Sequence, residues 1–327
     1  MSTAKAVTAT TAPRLLGAAD VLRAMPMAAA VEALRRALRG GLDPESDPPR
    51  TVVPVAYGQL LLMPAHQRRY AGVKIATVAP ANPAAGRPRI QGQYLLLDAP
   101  TLTPLALLDG GALTTVRTAA VSALAADHLA EPGAGHLVLF GTGPQARGHL
   151  DALRAVRPLD RVTVVGRTPG RTAEFIEAAR RDTGLDDTGL DIGPGEPADV
   201  AGADLVACCT TARAPLFDGA LLPPHATVIA VGSHEPDARE VDPATVRRST
   251  VVVESRAAAV REAGDLIPEL ADGSIGRDGL VPLADLVNGT VAVDGRRPRL
   301  FKSVGMAWED LVVASAVREA ISEGDGK

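Results

Sequence analysis

Cysteine is nearly absent from this chain, lysine is scarce, and no apolar run is long. The two cysteines in 327 residues, Cys208 and Cys209, are sequence neighbours, so they cannot staple distant segments, and a disulfide-built scaffold is excluded. A reducing compartment, the cytoplasm, is expected instead. No stretch approaches the ~20 apolar residues of a membrane span. The N-terminal "MSTAKAVTATTAPRLL" lacks the apolar core of an export signal, and residues 1–12 read as a disordered tail. Strong charge of either sign is also missing. The net charge is −4, which recruits neither nucleic acid nor an anionic membrane and leaves small molecules as the expected partners. Of 34 basic residues only four are lysine, at positions 5, 74, 302 and 327. An interior lysine here needs a reason.

What is present is a globular composition, 46% hydrophobic, long enough for about two domains of roughly 100–200 residues. "MPMAAAVEALRRALRGG" puts Met27, Val31, Leu34 and Leu38 on one helical face, with Pro26 to open the helix and Gly40 and Gly41 to close it. Five apolar runs follow: "TVVPVAY", "QLLLMPA", "GVKIATVAP", "IQGQYLLLDA" and "PLALLDG". Turns rather than helices separate them, which predicts a mainly antiparallel sheet. The helix "TTVRTAAVSALAADHLA" then leads into short apolar strands alternating with helices or loops, among them "HLVLF", "RVTVV", "ADLVACC", "ATVIAV" and "TVVVES". That alternation predicts a doubly wound parallel sheet. The polar stretch "NGTVAVDGRRPRL" reads as a loop, after which the amphipathic helix "SVGMAWEDLVVASAVREAISEG" is free to return to the first domain. The expected fold class is α/β, a Rossmann doubly wound parallel sheet plus a second, mainly antiparallel α+β domain. The expected boundaries are 13–118 with 304–327 for the antiparallel domain and 119–303 for the parallel one.

The most specific local signal is "HLVLFGTGPQA", a strand running into a glycine turn and then a helix. Gly141 permits the tight turn, Gly143 lets the backbone approach a pyrophosphate, and Ala146 lets the helix pack on the strand. Pro144 suits the first helical position, and Thr142 and Gln145 complete the loop. This pattern predicts a dinucleotide site. An NAD site usually has an acid at the end of the second strand, but Gly166, Arg167, Thr168 and, one turn on, Arg171 stand there. Arginine pairs with a 2'-phosphate, so NADP(H) is expected in preference to NAD(H). Thr210 and Gly232, at the ends of two later strands, join the expected cofactor-binding set. No His, Cys or carboxylate cluster has zinc spacing, and "DGSIGRDG" is too short for a calcium loop, so no metal is expected.

Three basic residues stand where a surface coat would not put them: Arg50 before a strand, Lys74 between Val73 and Ile75, and Arg117 in an alanine-rich helix. Together they suggest a carboxylate site. At this point the sequence resembles the ornithine cyclodeaminase and mu-crystallin family, on "PPRTVVP", "LLLMPA", "GVKIATVAPAN", "TTVRTAAVSALAADHLA", "GTGPQA", "AVGSHEPDARE" and "FKSVGMAWEDL". The resemblance implies a homodimer whose first domain, joined by the C-terminal helix, builds the dimer sheet and the substrate pocket, with a Rossmann domain between. It also implies that Arg50, Lys74 and Arg117 hold a substrate carboxylate, that Lys74 belongs to the catalytic set, and that Ser303 lies near the nicotinamide.

Two departures set the expected chemistry. The position aligned with the cyclodeaminase proton-handling aspartate is His234, and the position of the glutamate that holds the distant amine is Leu61. A leucine cannot accept a hydrogen bond from an ammonium, and burying that charge against it would cost several kcal/mol, so ornithine cyclodeamination is not expected. Reduction of a small α-imino acid or cyclic ketimine carboxylate, of the pyrroline-2-carboxylate or piperideine-2-carboxylate type, uses what is retained. An alanine-type dehydrogenase acting on a 2-oxo acid and ammonia is the alternative within the class, and an NADP-dependent ligand binder of mu-crystallin type is the alternative outside it. His234 has two readings, a proton donor with a pKa suited to neutral pH or a structural partner of Glu235 or Asp237.

Overall fold

The computed structural model describes residues 12–183 and 189–325. The disordered tail expected over residues 1–12 lies, apart from Ala12, outside the described residues. The chain divides into two compact units: Met1–Met25, Pro48–Thr114 and Asp310–Lys327 form the first, and Pro26–Asp47 with Thr115–Glu309 the second.

The first unit contains β1 (Arg14–Leu16), α1 (Ala18–Ala24), β2 (Thr51–Val55), β3 (Gly58–His66), β4 (Tyr70–Val78), β5 (Ile90–Asp98) and β6 (Pro104–Asp109). Its sheet has the order β1-β6-β5-β4-β3-β2. The five expected strands form an antiparallel meander, because short turns leave no chain for a crossover. β1 was not expected; it is three residues long and pairs in parallel with β6. In register, Met63 faces Lys74 and Lys74 faces Tyr94, so the three share one face of the sheet. All three are buried. β2 forms one edge, and its Val52, Val53 and Val55 are exposed.

The second unit holds α2 (Met27–Arg39), most of α3 (Gly110–Leu129), β7 (His136–Phe140), α4 (Pro144–Arg154), β8 (Arg161–Val165), α5 (Pro169–Thr183) and β9 (Asp191–Pro194). After β10 (Leu205–Cys208) and β11 (Thr227–Ala230) come α6 (Pro243–Arg248), β12 (Thr250–Val253), α7 (Arg256–Glu262), α8 (Ile267–Ala271), β13 (Val281–Pro282), α9 (Leu283–Val287) and β14 (Arg299–Lys302). The last helix, α10 (Ala307–Asp325), begins in this unit and continues in the first. All strands are parallel, in the order β13-β12-β14-β11-β10-β7-β8-β9. This is the doubly wound sheet that the strand and helix alternation predicts.

Two sequence readings need adjustment. The stretch read as a polar loop before the last helix ends in β14, which lies inside the sheet between β11 and β12. Its sequence, Arg-Leu-Phe-Lys, hides the strand behind two charged ends. Both ends are buried and paired, Arg299 with Glu131 at 2.8 Å and Lys302 with Asp265 at 2.7 Å. The helix α2 also groups with the second unit, where Arg35 pairs with Asp127 of α3 at 2.7 Å. The sequence reading left it with the first. Among the described residues no helix is long and apolar enough to cross a membrane.

Candidate active site

In an open parallel sheet, ligands bind beyond the carboxyl ends of the strands, where the strand order reverses. Here the reversal falls between β7 and β10. β7 runs into Gly141, whose φ is +111° and where an added Cβ would lie 2.5 Å from the Cys209 carbonyl oxygen. Only glycine fits this turn. Gly143 is the N-cap of α4 and Pro144 opens the helix. A Cβ at Gly143 would meet nothing within 4 Å, so the backbone face beside the helix start is open. Amide donors at a helix start lack internal partners and favour an anion, and Ala146 is fully buried against the strand. The half-exposed Thr142 and Gln145 complete a loop whose geometry fits a dinucleotide pyrophosphate.

The second strand, β8, is followed by Gly166, where a Cβ would come within 2.2 Å of the Thr172 hydroxyl. That hydroxyl donates to the carbonyl of Thr168 at 3.2 Å and tightens the first turn of α5. Arg167, Thr168 and Arg171 are exposed around it. No acid occurs from 166 to 173, so nothing in this turn repels a phosphate.

Two buried carboxylates organise the remaining strand ends. Glu240 accepts the amide and hydroxyl of Thr210 at 2.8 and 2.7 Å, and the amide of Gly232 at 2.7 Å. Burial pushes its carboxyl up from the usual range, with the Lys302 ammonium and the Thr210 donors pulling the other way. Glu254 accepts the Ser303 hydroxyl at 2.6 Å and the amides of Val304 and Gly305 at 2.9 and 3.1 Å. The Thr210 and Ser303 hydroxyls thus each donate to an internal carboxylate. Cys208 and Cys209 are buried thiols pushed well above their ordinary range by desolvation, which works against a thiolate at either position.

Each expected carboxylate-binding residue has a defined setting within its own unit. Lys74, 3% exposed, pairs with Asp310 at 2.7 Å and approaches the Thr114 hydroxyl at 3.4 Å. Arg117 donates to Glu309 at 2.7 Å. Its guanidinium lies against Gly305, where a Cβ would sit 2.5 Å away and where φ is +75°. Arg50 is half-exposed at the entry to β2. His234 is half-buried in the loop after β11. Its proposed structural partners Glu235 and Asp237 both accept from Arg213.

Sequence reasoning missed the acids. Glu309 and Asp310 are adjacent in the otherwise apolar "VGMAWEDLVVA", and two neighbouring acids in such a run were a signal that buried bases need partners. Lys302, one of the four lysines, carries in the sequence no mark of its partner Asp265. Among the described residues no cluster of three His, Cys, Asp or Glu side chains could hold a metal ion.

Comparison with known proteins places these features in a family. The chain is 38% identical over 280 residues to Delta(1)-pyrroline-2-carboxylate reductase 2 of Burkholderia ambifaria, covering 85% of this chain and 86% of that one. It is 32% identical over 303 residues to ketimine reductase mu-crystallin of Mus musculus, covering 91% and 92%. Among solved structures, Thermococcus litoralis Delta(1)-pyrroline-2-carboxylate reductase in complex with NADH and L-proline is similar with a TM-score of 0.88, at 30% identity over 95% of this chain and 98% of that one. The model of the ornithine cyclodeaminase/mu-crystallin family matches residues 13–325. The chain belongs to the ornithine cyclodeaminase/mu-crystallin family.

Proposed function

We propose that this protein is an NADPH-dependent reductase of a cyclic ketimine carboxylate, of the pyrroline-2-carboxylate or piperideine-2-carboxylate type. One observation carries the reading. The open glycine loop after β7 and the half-buried His234 after β11 lie at the same C-terminal edge of one parallel sheet, separated only by β10. That edge therefore presents a dinucleotide-type loop and a titratable proton source together. A nicotinamide dinucleotide held by the loop from Gly141 to Ala146 would supply the hydride for the imine carbon. His234 gives the ring nitrogen its proton, which makes the carbon a better acceptor, and regains one from solvent. Lys74, Arg117 and Arg50 bind the carboxylate, with Asp310 and Glu309 holding the first two ready. The buried Leu61 leaves no acceptor at its position for a distant substrate ammonium. The relatives' reductase activities support the same chemistry.

The cofactor preference rests on Arg167 and Arg171, both exposed beside an acid-free turn. Under this reading residues 13–118 with 304–327 bind substrate and residues 119–303 bind the dinucleotide. The first unit also pairs two copies through the β2 edge, whose exposed Val52, Val53 and Val55 would be covered in a homodimer. Two free, buried cysteines suit the cytoplasm.

Steady-state assays with NADPH and NADH test the reading. Turnover of pyrroline- or piperideine-2-carboxylate with a preference for NADPH is expected. Turnover confined to a 2-oxo acid with ammonia would overturn it in favour of an amino-acid dehydrogenase, and tight NADPH binding with no turnover would overturn it in favour of a binder. Light scattering should give twice the 33.6 kDa chain mass; a monomer would remove the dimer.

A further inference from the structure

Beneath the loop after β11 lies a cluster of buried charges that the proposed reaction does not use. Lys302, the last residue of β14, places its ammonium 2.7 Å from Asp265, and both side chains have 0% exposure. The same ammonium donates to the carbonyl of Ser233 at 2.7 Å. Asp265 accepts the amides of Glu240 and Val241 at 2.6 and 3.0 Å. Glu240 in turn holds Thr210 and Gly232, the residues that follow β10 and β11. The contacts therefore run from β14 to two neighbouring strand ends and close on the residue before His234.

A purely structural account fits this arrangement poorly. One base and two acids buried together are costly to desolvate, and apolar side chains of similar volume often serve stability better. The strand residues paired with Lys302 are Ala230 and Val253, both apolar and fully buried. This chain also uses lysine at only four positions. What the charges supply is geometry. The Ser233 carbonyl belongs to the same rigid peptide plane as the His234 nitrogen, so the ammonium fixes the plane from which the histidine departs. Gly232 is clamped equally closely: a Cβ there would fall 2.1 Å from the Thr210 carbonyl oxygen and 2.4 Å from the Glu240 carboxylate.

We propose that Lys302, Asp265 and Glu240 are positioning residues that orient the His234 imidazole against the ends of β10 and β11. The inference rests on the proposed function for its catalytic consequence, but the orientation itself is measurable without substrate. Lys302 anchors the peptide ahead of the histidine, and Glu240 ties that loop to the strand end beside the dinucleotide turn.

The test uses Lys302→Met and the pair Lys302→Met with Asp265→Asn in the full-length protein. The pair leaves the cluster's net charge unchanged and keeps an acceptor for the Glu240 and Val241 amides, so a defect that survives in it is positional and not a lost field. Ring signals of the six histidines are read by proton–carbon NMR, with His234 assigned from a His234→Gln sample. The expected result is a displaced or broadened His234 signal with the other histidines in place. With ketimine substrate, kcat should fall tenfold or more while the NADPH Kd stays within threefold. A folded variant with the wild-type His234 signal and kcat overturns the proposal. Amide exchange in the unaltered protein adds a reading that needs no variant. The Thr210 and Gly232 amides should exchange as slowly as those of β10 and β11, and fast exchange also overturns it. Should wild-type protein turn over no ketimine, the functional reading fails while the NMR and exchange results still decide this one.

Discussion

Lys74 and Asp310 meet at 2.7 Å with 4% and 0% of their side chains exposed. The only lysine in the five-strand meander is thus balanced by an acid from the helix that closes the same unit. A buried ammonium without such a partner loses its proton or unfolds its surroundings.

Asp310→Asn should therefore destabilise the protein by about 3–5 kcal/mol, because one buried charge is stranded. Lys74→Met combined with Asp310→Leu should recover most of that loss, since an apolar pair of similar volume fits the same site. Neither variant should reduce ketimine at a tenth of the wild-type rate. Urea denaturation followed by assay checks both halves; full activity in the double variant would remove Lys74 from the substrate site.

Two glycines of one loop should respond in opposite ways. Gly141→Ala forces a side chain into φ +111° and against the Cys209 carbonyl, which should cost about 1–3 kcal/mol of stability. Gly143→Ala meets no neighbour in the protein and should leave stability within about 0.5 kcal/mol. It should still weaken NADPH binding tenfold or more by blocking the backbone approach. Thermal melts with fluorescence titration separate the two effects.

Arg167 and Arg171 stand exposed beside a turn without acids. Replacing both by serine should raise the NADPH Kd about 10- to 100-fold, since a charge-assisted hydrogen bond contributes roughly 1.5–3 kcal/mol. The NADH Kd should change less than threefold. Equal losses for both dinucleotides would show that the arginines do not read the 2'-phosphate.

His149 gives stability a pH dependence. It is fully buried on α4, its Nδ1 lies 2.7 Å from the Gln145 carbonyl and its Nε2 lies 2.9 Å from the Ser122 hydroxyl. The carbonyl can only accept, so Nδ1 carries the proton of a neutral ring. Burial lowers the pKa from 6.5 to about 4. The unfolded chain therefore binds a proton that the folded one refuses between those values. The stability contributed is present above about pH 6.5 and is lost as pH falls toward 4, by roughly 3 kcal/mol in total. Urea midpoints across this range should slope upward with pH, and His149→Gln should flatten the slope.

Local patterns were legible in the sequence and long-range pairings were not. Gly141, Gly143 and Pro144 announce themselves because a turn and a helix start depend on residues a few positions apart. The five meander strands of the first sheet were equally plain from their spacing, but the three-residue β1 was not. β14 escaped because four residues with charged ends show no apolar alternation, and its burial depends on Glu131 and Asp265, distant in sequence. Glu240 and Glu254 escaped for a related reason: a buried acid that gathers backbone amides looks, in sequence, like any solvated one.

The position of β14 also governs the order in which the protein can be completed. Residues 299–302 lie between β11 and β12, yet both of those strands leave the ribosome earlier. Until β14 arrives, the nascent sheet has a gap with two open strand edges in its interior, the kind of surface that recruits foreign strands. Insertion of these four residues thus closes both interior edges at once and makes the eight-stranded sheet continuous.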